Sequence, residues 1–309
     1  MVSLCEDWAK GDEGYKARDG ALLADLLAFY DPISIDSFLT HYSNNERLIT
    51  IAKLAIAQIL LGKGTSVNFN RIRLRKNEEA YHWYRYLWDA IVKDQSASEL
   101  ANPLIPFNFD IVTFNYDPSL EYFLYSRVIS SGSMFTDEQR SSFLRKISER
   151  IHHVYGCLLN YKWCTGDQGE ANGKFAAPDD RALITLVERN FHHIQLINER
   201  KANQRDHLQL LIAKASQVIF LGFSFDETNI GPHVLNLGKT LVREQDGKWK
   251  RPPIVKYTNF GNSRIINERL YDLLKDKVPN PYSPTDFLVK SEKKVYRAVS
   301  EDFPLNSFN

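Results

Sequence analysis

Small or amide-bearing polar residues follow four short apolar segments of this sequence. The four segments are residues 109–114, 151–155, 217–222 and 253–258. The candidate ligand-binding residues at or just after their ends are Thr113, Asp117, Gly156, Gly222, Ser224, Asn229 and Asn259, with Asn115 beside them. An amide both donates and accepts hydrogen bonds, and a glycine lets a ligand come close to the backbone. These residue types therefore predict a nucleotide-binding cleft.

The apolar segments are rich in β-branched and aromatic residues, which is typical of buried strands. Helical patterns separate them, and the predicted helices cover residues 117–130, 137–149, 181–214, 228–242 and 263–275. Alternating strands and helices indicate an α/β fold with a parallel sheet covered by helices on both faces. Ligands of such sheets bind beyond the carboxyl ends of the strands, where the candidate residues lie.

The first third of the chain is mainly helical, over about residues 31–100. Apolar residues recur at helical spacing in residues 36–61, and residues 77–93 form a further helix whose tryptophans and tyrosines we assign to the core. We predict one domain over residues 1–280. Residues 281–309 show little periodicity and are predicted to be a C-terminal extension.

Composition narrows the classes of partner. The hydrophobic fraction is 43%, the charged fraction is 25% and the formal net charge is +1, so no basic excess indicates a direct nucleic-acid partner. The three cysteines, Cys5, Cys157 and Cys164, form neither a disulfide framework nor a zinc-binding pattern, and we predict no metal. No signal peptide and no apolar run of about 18 residues is present. We therefore expect a cytoplasmic protein with no membrane association.

Four segments resemble motifs of one known family, in the same order and with similar separations. Residues 113–117 (Thr-Phe-Asn-Tyr-Asp) resemble a Thr-x-Asn-Tyr-Asp segment of bacterial sirtuin-like domains. Residues 153–161 resemble the family's His-Leu-His-Gly-Ser-Leu-Asn segment, and residues 220–229 resemble its Gly-Tyr-Ser-Phe-x-Asp-x-Asn segment. A weaker resemblance covers residues 34–39. The similarity extends over about residues 34–274.

The resemblance implies a Rossmann-like fold that binds NAD. It also implies hydrolysis of NAD to nicotinamide and ADP-ribose in bacterial antiphage defence, with a sensor or effector protein as partner and possible homo-oligomer formation. Asn115 would position the water or the ribose hydroxyls, whereas Asp117 would anchor the loop or cap the following helix. Gly222 and Ser224 would approach the cofactor.

Two departures from the family motifs favour an alternative, a catalytically inactive module that binds NAD or ADP-ribose or serves assembly. The family's first strand and its Gly-x-Gly-x-Ser loop have no counterpart before Ser34, so either the chain is truncated at its start or it binds dinucleotide differently. Tyr155 also occupies the position of the catalytic histidine. On a strand His153 points to the same side as Tyr155 but lies about 7 Å away, so it could substitute only after a shift. We therefore take Asn115, Tyr155 and His153 as the candidate catalytic residues.

Overall fold

The computed structural model describes residues 14–31, 35–64, 82–158, 180–196, 199, 202–241, 243–245, 248–250, 252–275, 278 and 282–302. Its α-helices are α1 (Gly14–Tyr30), α2 (Ile35–His41), α3 (Glu46–Gly64), α4 (His82–Val92), α5 (Ala97–Ala101), α6 (Ser119–Ser130), α7 (Asp137–Ser148), α8 (Asp180–Asn190), α9 (Ala202–Lys214), α10 (Glu227–Ile230), α11 (Leu237–Thr240), α12 (Arg264–Leu274) and α13 (Val295–Arg297). Its strands are β1 (Ile111–Thr113), β2 (Ile151–His153), β3 (Gln217–Phe220), β4 (Arg243–Gln245), β5 (Lys248–Lys250), β6 (Ile254–Thr258) and β7 (Leu288–Ser291). The structure thus confirms that the chain contains both helices and strands, as the predicted α/β class requires.

The strands form small sheets. β1 pairs with β2 in a two-stranded sheet, whereas β3, β6 and β7 form a three-stranded sheet in the order β3-β6-β7. Both pairings in the second sheet are parallel, and β4 and β5 form an antiparallel hairpin. Each of the four predicted strand segments thus contains a strand, but the strands are divided between two sheets.

The chain divides into two compact units. Unit 1 comprises Met1–Phe69, Thr113–Tyr122 and His153–Arg200, and unit 2 comprises Asn70–Val112, Phe123–His152 and Lys201–Asn309. In the part of the chain that the structure describes, none of the helices combines the length and apolar character needed to cross a bilayer.

The core of unit 1 surrounds α3, which packs against α1 and α8. Apolar residues occupy almost the whole circumference of α3, as expected for a helix covered on several sides. The buried apolar residues of α3 are Leu48, Ile49, Ile51, Ala52, Leu54, Ala57 and Leu61. The buried ammonium of Lys53 lies 2.6 Å from a carboxylate oxygen of Glu199, which compensates for burying the charge.

Unit 2 has its own core, built around the parallel sheet and an aromatic cluster. Phe143 of α7 is fully buried, and its ring contacts those of Trp88, Phe107 and Phe135. β7 lies within residues 281–309, which were predicted from the sequence to be a C-terminal extension. Because β7 pairs with β6, this segment contributes a strand to the sheet of unit 2.

Several predicted elements differ in their bounds. The predicted helix 181–214 is divided into α8, a 3-10 turn at Phe191–His193 and α9, and the predicted helix 228–242 is reduced to the short α10 and α11. Residues 77–81 of the predicted helix 77–93 lie outside the described residues, as do residues 32–34, where the weakest family motif begins.

Candidate functional site

His153 is the centre of a polar cluster in unit 1. It is the last residue of β2, and its side chain is 10% exposed. Its Nδ1 lies 2.7 Å from the backbone carbonyl oxygen of Asn115, and its Nε2 lies 2.5 Å from Oε1 of Glu121. Both ring nitrogens are therefore engaged, one by the loop after β1 and the other by the first turn of α6.

The protonation state of His153 follows from these contacts. Burial alone lowers the pKa of the imidazole, but hydrogen bonds with Cys157 and Glu121 and the charge of the Glu121 carboxylate raise this pKa to about 11. At neutral pH the ring is an imidazolium that donates one hydrogen bond from each nitrogen. His153 thus holds the backbone of Asn115 and the side chain of Glu121 in place.

The start of α6 determines where Glu121 lies. Oδ1 of Asp117 accepts a hydrogen bond of 3.1 Å from the backbone N–H of Ser119, so the Asp117 carboxylate stabilises the first turn of the helix. Glu121 follows in that turn, where the helix dipole favours a negative charge. This hydrogen bond places the Asp117 carboxylate at the start of α6, where capping the helix is one of the two roles that the resemblance implies for it.

Asn115 presents an exposed side chain beside this cluster. Its backbone N–H donates to the hydroxyl of Thr113 at 3.1 Å, and its carbonyl oxygen contacts His153. None of the described residues forms a hydrogen bond with the Asn115 side-chain amide. The backbone of Asn115 is thus fixed from two directions while its amide stays accessible to a ligand.

Tyr155 lies in the core. β2 ends at His153, so Tyr155 belongs to the turn that follows and the alternation expected along a longer strand does not apply. Its side chain is 2% exposed, with ring centroids 5.7 Å from Phe114 and 6.0 Å from Tyr116. This packing buries the Tyr155 ring among aromatic side chains.

Gly156 forms a tight turn that leads to Cys157. Its φ angle is +81°, a conformation that side-chain-bearing residues rarely adopt. A Cβ atom at this position would lie 1.9 Å from the backbone carbonyl oxygen of His193. The turn is held by hydrogen bonds from Gln195 N–H to the Tyr155 carbonyl and from Leu158 N–H to the Tyr116 carbonyl. Gly156 is therefore required by close backbone packing.

Cys157 and Glu121 are two site residues that sequence reasoning missed. Oxygen, nitrogen and sulfur ligand atoms of Glu121, His153 and Cys157 all lie within 4.8 Å of one another. The sequence signal was weak: Glu121 follows the Asn-Tyr-Asp motif and Cys157 follows His153 by four residues, but only the β1–β2 pairing brings these segments together.

The remaining candidate residues belong to unit 2. Gly222 has a φ angle of +64°, and its N–H donates to the hydroxyl of Thr258 at 2.8 Å. Ser224 is exposed, and Asn229 lies in α10, where its N–H donates to the Asp226 carbonyl at 3.0 Å. Gly222 and Ser224 thus follow β3 at the surface of unit 2.

Asn259 has a structural role. It is 1% exposed, and its amide nitrogen donates to the carbonyl of Ser263 and to Oδ1 of Asn267, both at 2.9 Å. Its Oδ1 accepts from the Ser263 N–H at 2.9 Å. The Asn259 amide therefore fixes the turn between β6 and α12 and is engaged on both sides.

Comparison of this chain with protein-family models, curated proteins and solved structures gave no match.

Proposed function

We propose that this chain is an NAD glycohydrolase of the sirtuin-like type, with Asn115 as the residue that contacts the substrate. The observation that carries the proposal is the accessible amide of Asn115 on a backbone fixed by His153 and by the Thr113 hydroxyl. The motif at residues 113–117 supports it, since the resemblance assigns to its asparagine the positioning of water or ribose. Within this proposal the α/β architecture is Rossmann-like.

The chemistry explains why an amide suffices. Cleavage of the bond between ribose and nicotinamide passes through an oxocarbenium-like state, and the pyridine leaves without needing a proton. The site must therefore orient the ribose and a water molecule, which an amide achieves by donating and accepting hydrogen bonds. His153, whose two nitrogens are both engaged, acts here as a positioning residue that fixes Asn115.

The same resemblance guides a proposal for the biological setting. We expect hydrolysis to serve antiphage defence in the cytoplasm, under the control of a sensor or effector protein and in a homo-oligomer. ADP-ribose, as the product, shares the site with NAD.

Replacing Asn115 with alanine tests the function. We expect the full chain to release nicotinamide from NAD, and Asn115→Ala to reduce the rate by about 100-fold, because a lost positioning contact commonly costs that much. Asn203→Ala is the matched control, since Asn203 is an exposed asparagine of α9 in unit 2. Equal rates for wild type and Asn115→Ala would refute the role of Asn115, and absence of release from the wild type would refute the enzyme.

One observation favours a second candidate, the inactive module that binds NAD or ADP-ribose. Tyr155 stands at the position of the expected catalytic histidine and is buried among aromatic rings, while His153 keeps no free ring nitrogen. A rise in melting temperature on adding NAD, with no nicotinamide released, would select this candidate.

A further inference from the structure

Three different ligand types converge in unit 1. Glu121 contributes a carboxylate from α6, His153 contributes an imidazole from the end of β2, and Cys157 contributes a thiol from the turn after it. Their ligand atoms lie within 4.8 Å of one another. Donors around one zinc ion are separated by about 3.3–3.8 Å, given metal–ligand distances near 2.0–2.3 Å and tetrahedral angles. Shifts of about 1 Å therefore suffice to bring all three onto one ion.

The orientation of His153 matches that of a metal ligand. Histidines that bind a metal through one nitrogen almost always donate the other N–H to a carbonyl or carboxylate, which fixes the ring. Nδ1 of His153 makes such a contact with the Asn115 carbonyl at 2.7 Å. Nε2 is the nitrogen directed at Glu121.

Glu121 supplies an independent observation. The residue is 9% exposed, and its second carboxylate oxygen, Oε2, is buried with no hydrogen-bond partner among the described residues. Burying a charged oxygen without a partner is costly, and native structures rarely leave one in that state. A cation bound between the carboxylate, the imidazole and the thiol would satisfy it.

We propose that Glu121, His153 and Cys157 bind one divalent transition-metal ion of the zinc class, and that the ion displaces the Nε2 proton of His153 and the thiol proton of Cys157 when it binds. Thiolate and imidazole ligands favour such ions over Mg²⁺ and Ca²⁺, which prefer oxygen. Three protein ligands leave a fourth position for water or a ligand, as in zinc sites that carry out chemistry. The sequence predicted no metal because its cysteines form no zinc-binding pattern, and Glu121 lies 32 residues before His153. The inference is independent of NAD cleavage, and a chain that binds metal without releasing nicotinamide would still satisfy it.

Titration of the tag-free, metal-free full chain with Co²⁺ tests the proposal. We expect about one equivalent to bind, with visible bands of tetrahedral cobalt and the near-ultraviolet absorption of a thiolate–cobalt bond. Cys157→Ser should abolish the thiolate band, and Glu121→Gln should weaken Co²⁺ binding at least tenfold. Glu121→Gln keeps the shape of the side chain and a hydrogen bond to His153, so we expect this variant to fold. Its melting curve checks that it does.

Cys5→Ser is the matched control, because it removes a thiol that the proposed site does not use. It should retain the thiolate band in full. Absence of tight Co²⁺ binding to the wild type would overturn the proposal, as would a thiolate band that survives in Cys157→Ser or folded Glu121→Gln protein with wild-type affinity.

Discussion

Gly156→Ala is expected to destabilise the protein by about 3 kcal/mol or more, through two effects that add. The φ angle of +81° is unfavourable for any residue with a Cβ atom. In addition, the new methyl group would lie 1.9 Å from the carbonyl oxygen of His193, which is backbone and cannot move aside independently. The midpoint of urea unfolding measures the effect.

Gly261→Ala isolates the conformational part of this cost. Gly261 has a φ angle of +83°, but a Cβ atom there would meet nothing within 4 Å. We expect a loss of about 1–2 kcal/mol for this variant. Equal losses for the two variants would show that the close approach of Gly156 to His193 is absent in solution.

Glu121→Ala is expected to lower the free energy of unfolding by about 3 kcal/mol at neutral pH, because it leaves a buried imidazolium without its anion. The side chains of His153 and Glu121 are only 10% and 11% exposed, so water screens the pair poorly. Glu121→Gln should cost less, since an amide can donate to a neutral His153 while Nδ1–H still contacts Asn115. Urea unfolding of metal-free protein measures both variants.

The difference in unfolding free energy between wild type and Glu121→Ala depends on pH, and its direction follows from the pKa of His153. The pKa of His153 is raised from 6.5 to about 11 in the folded protein, so the stability contributed by its protonated form is complete below pH 6.5. It declines as pH rises through about 11. The gap between wild type and Glu121→Ala should therefore narrow with rising pH.

The control for this pair is Glu268→Ala. Glu268 pairs with Arg264 across one turn of α12, but the side chains are 52% and 88% exposed, and solvent screening leaves such pairs with little effect on stability. A loss for Glu121→Ala as small as that for Glu268→Ala would contradict the assignment of a buried, energetically coupled pair.

Local sequence patterns predicted the elements well where one pattern dominates. The four β-branched and aromatic segments each contain a strand, and the two helices α6 and α7 begin and end within about two residues of the predicted bounds. β7 was missed because its four residues follow a proline-containing stretch and pair with β6, a contact that periodicity does not encode.

The helices that were predicted too long contain local stops that a hydrophobic pattern does not register. Asn190 ends α8, and its side-chain amide donates to the Leu186 carbonyl at 2.8 Å. Gly231 and Pro232 follow α10, and Asn236 before α11 adopts a left-handed φ of 49°. Such side-chain hydrogen bonds and backbone conformations interrupt a helix without changing the spacing of apolar residues.

The sequence could predict the residues of the candidate site only to the extent that it predicts where β1 and β2 end. Asn115 and His153 follow or end strands that pair, so their proximity follows from the β1–β2 sheet. The positions of Tyr155 and Cys157 depend on β2 ending at His153 and on the left-handed turn at Gly156. The residue at which β2 ends and the turn at Gly156 thus decide which side chains enter the site. Amino-acid composition encodes neither of these features.

Titration with ADP-ribose, followed by NMR of the side-chain amide groups, tests most directly whether the ligand site lies at Asn115. We predict that the Asn115 amide resonances shift with saturation and that Asn115→Ala weakens binding, while the amide of Asn203 is unaffected. Binding that shifts other resonances and leaves Asn115 unchanged, or no binding at all, would contradict the account.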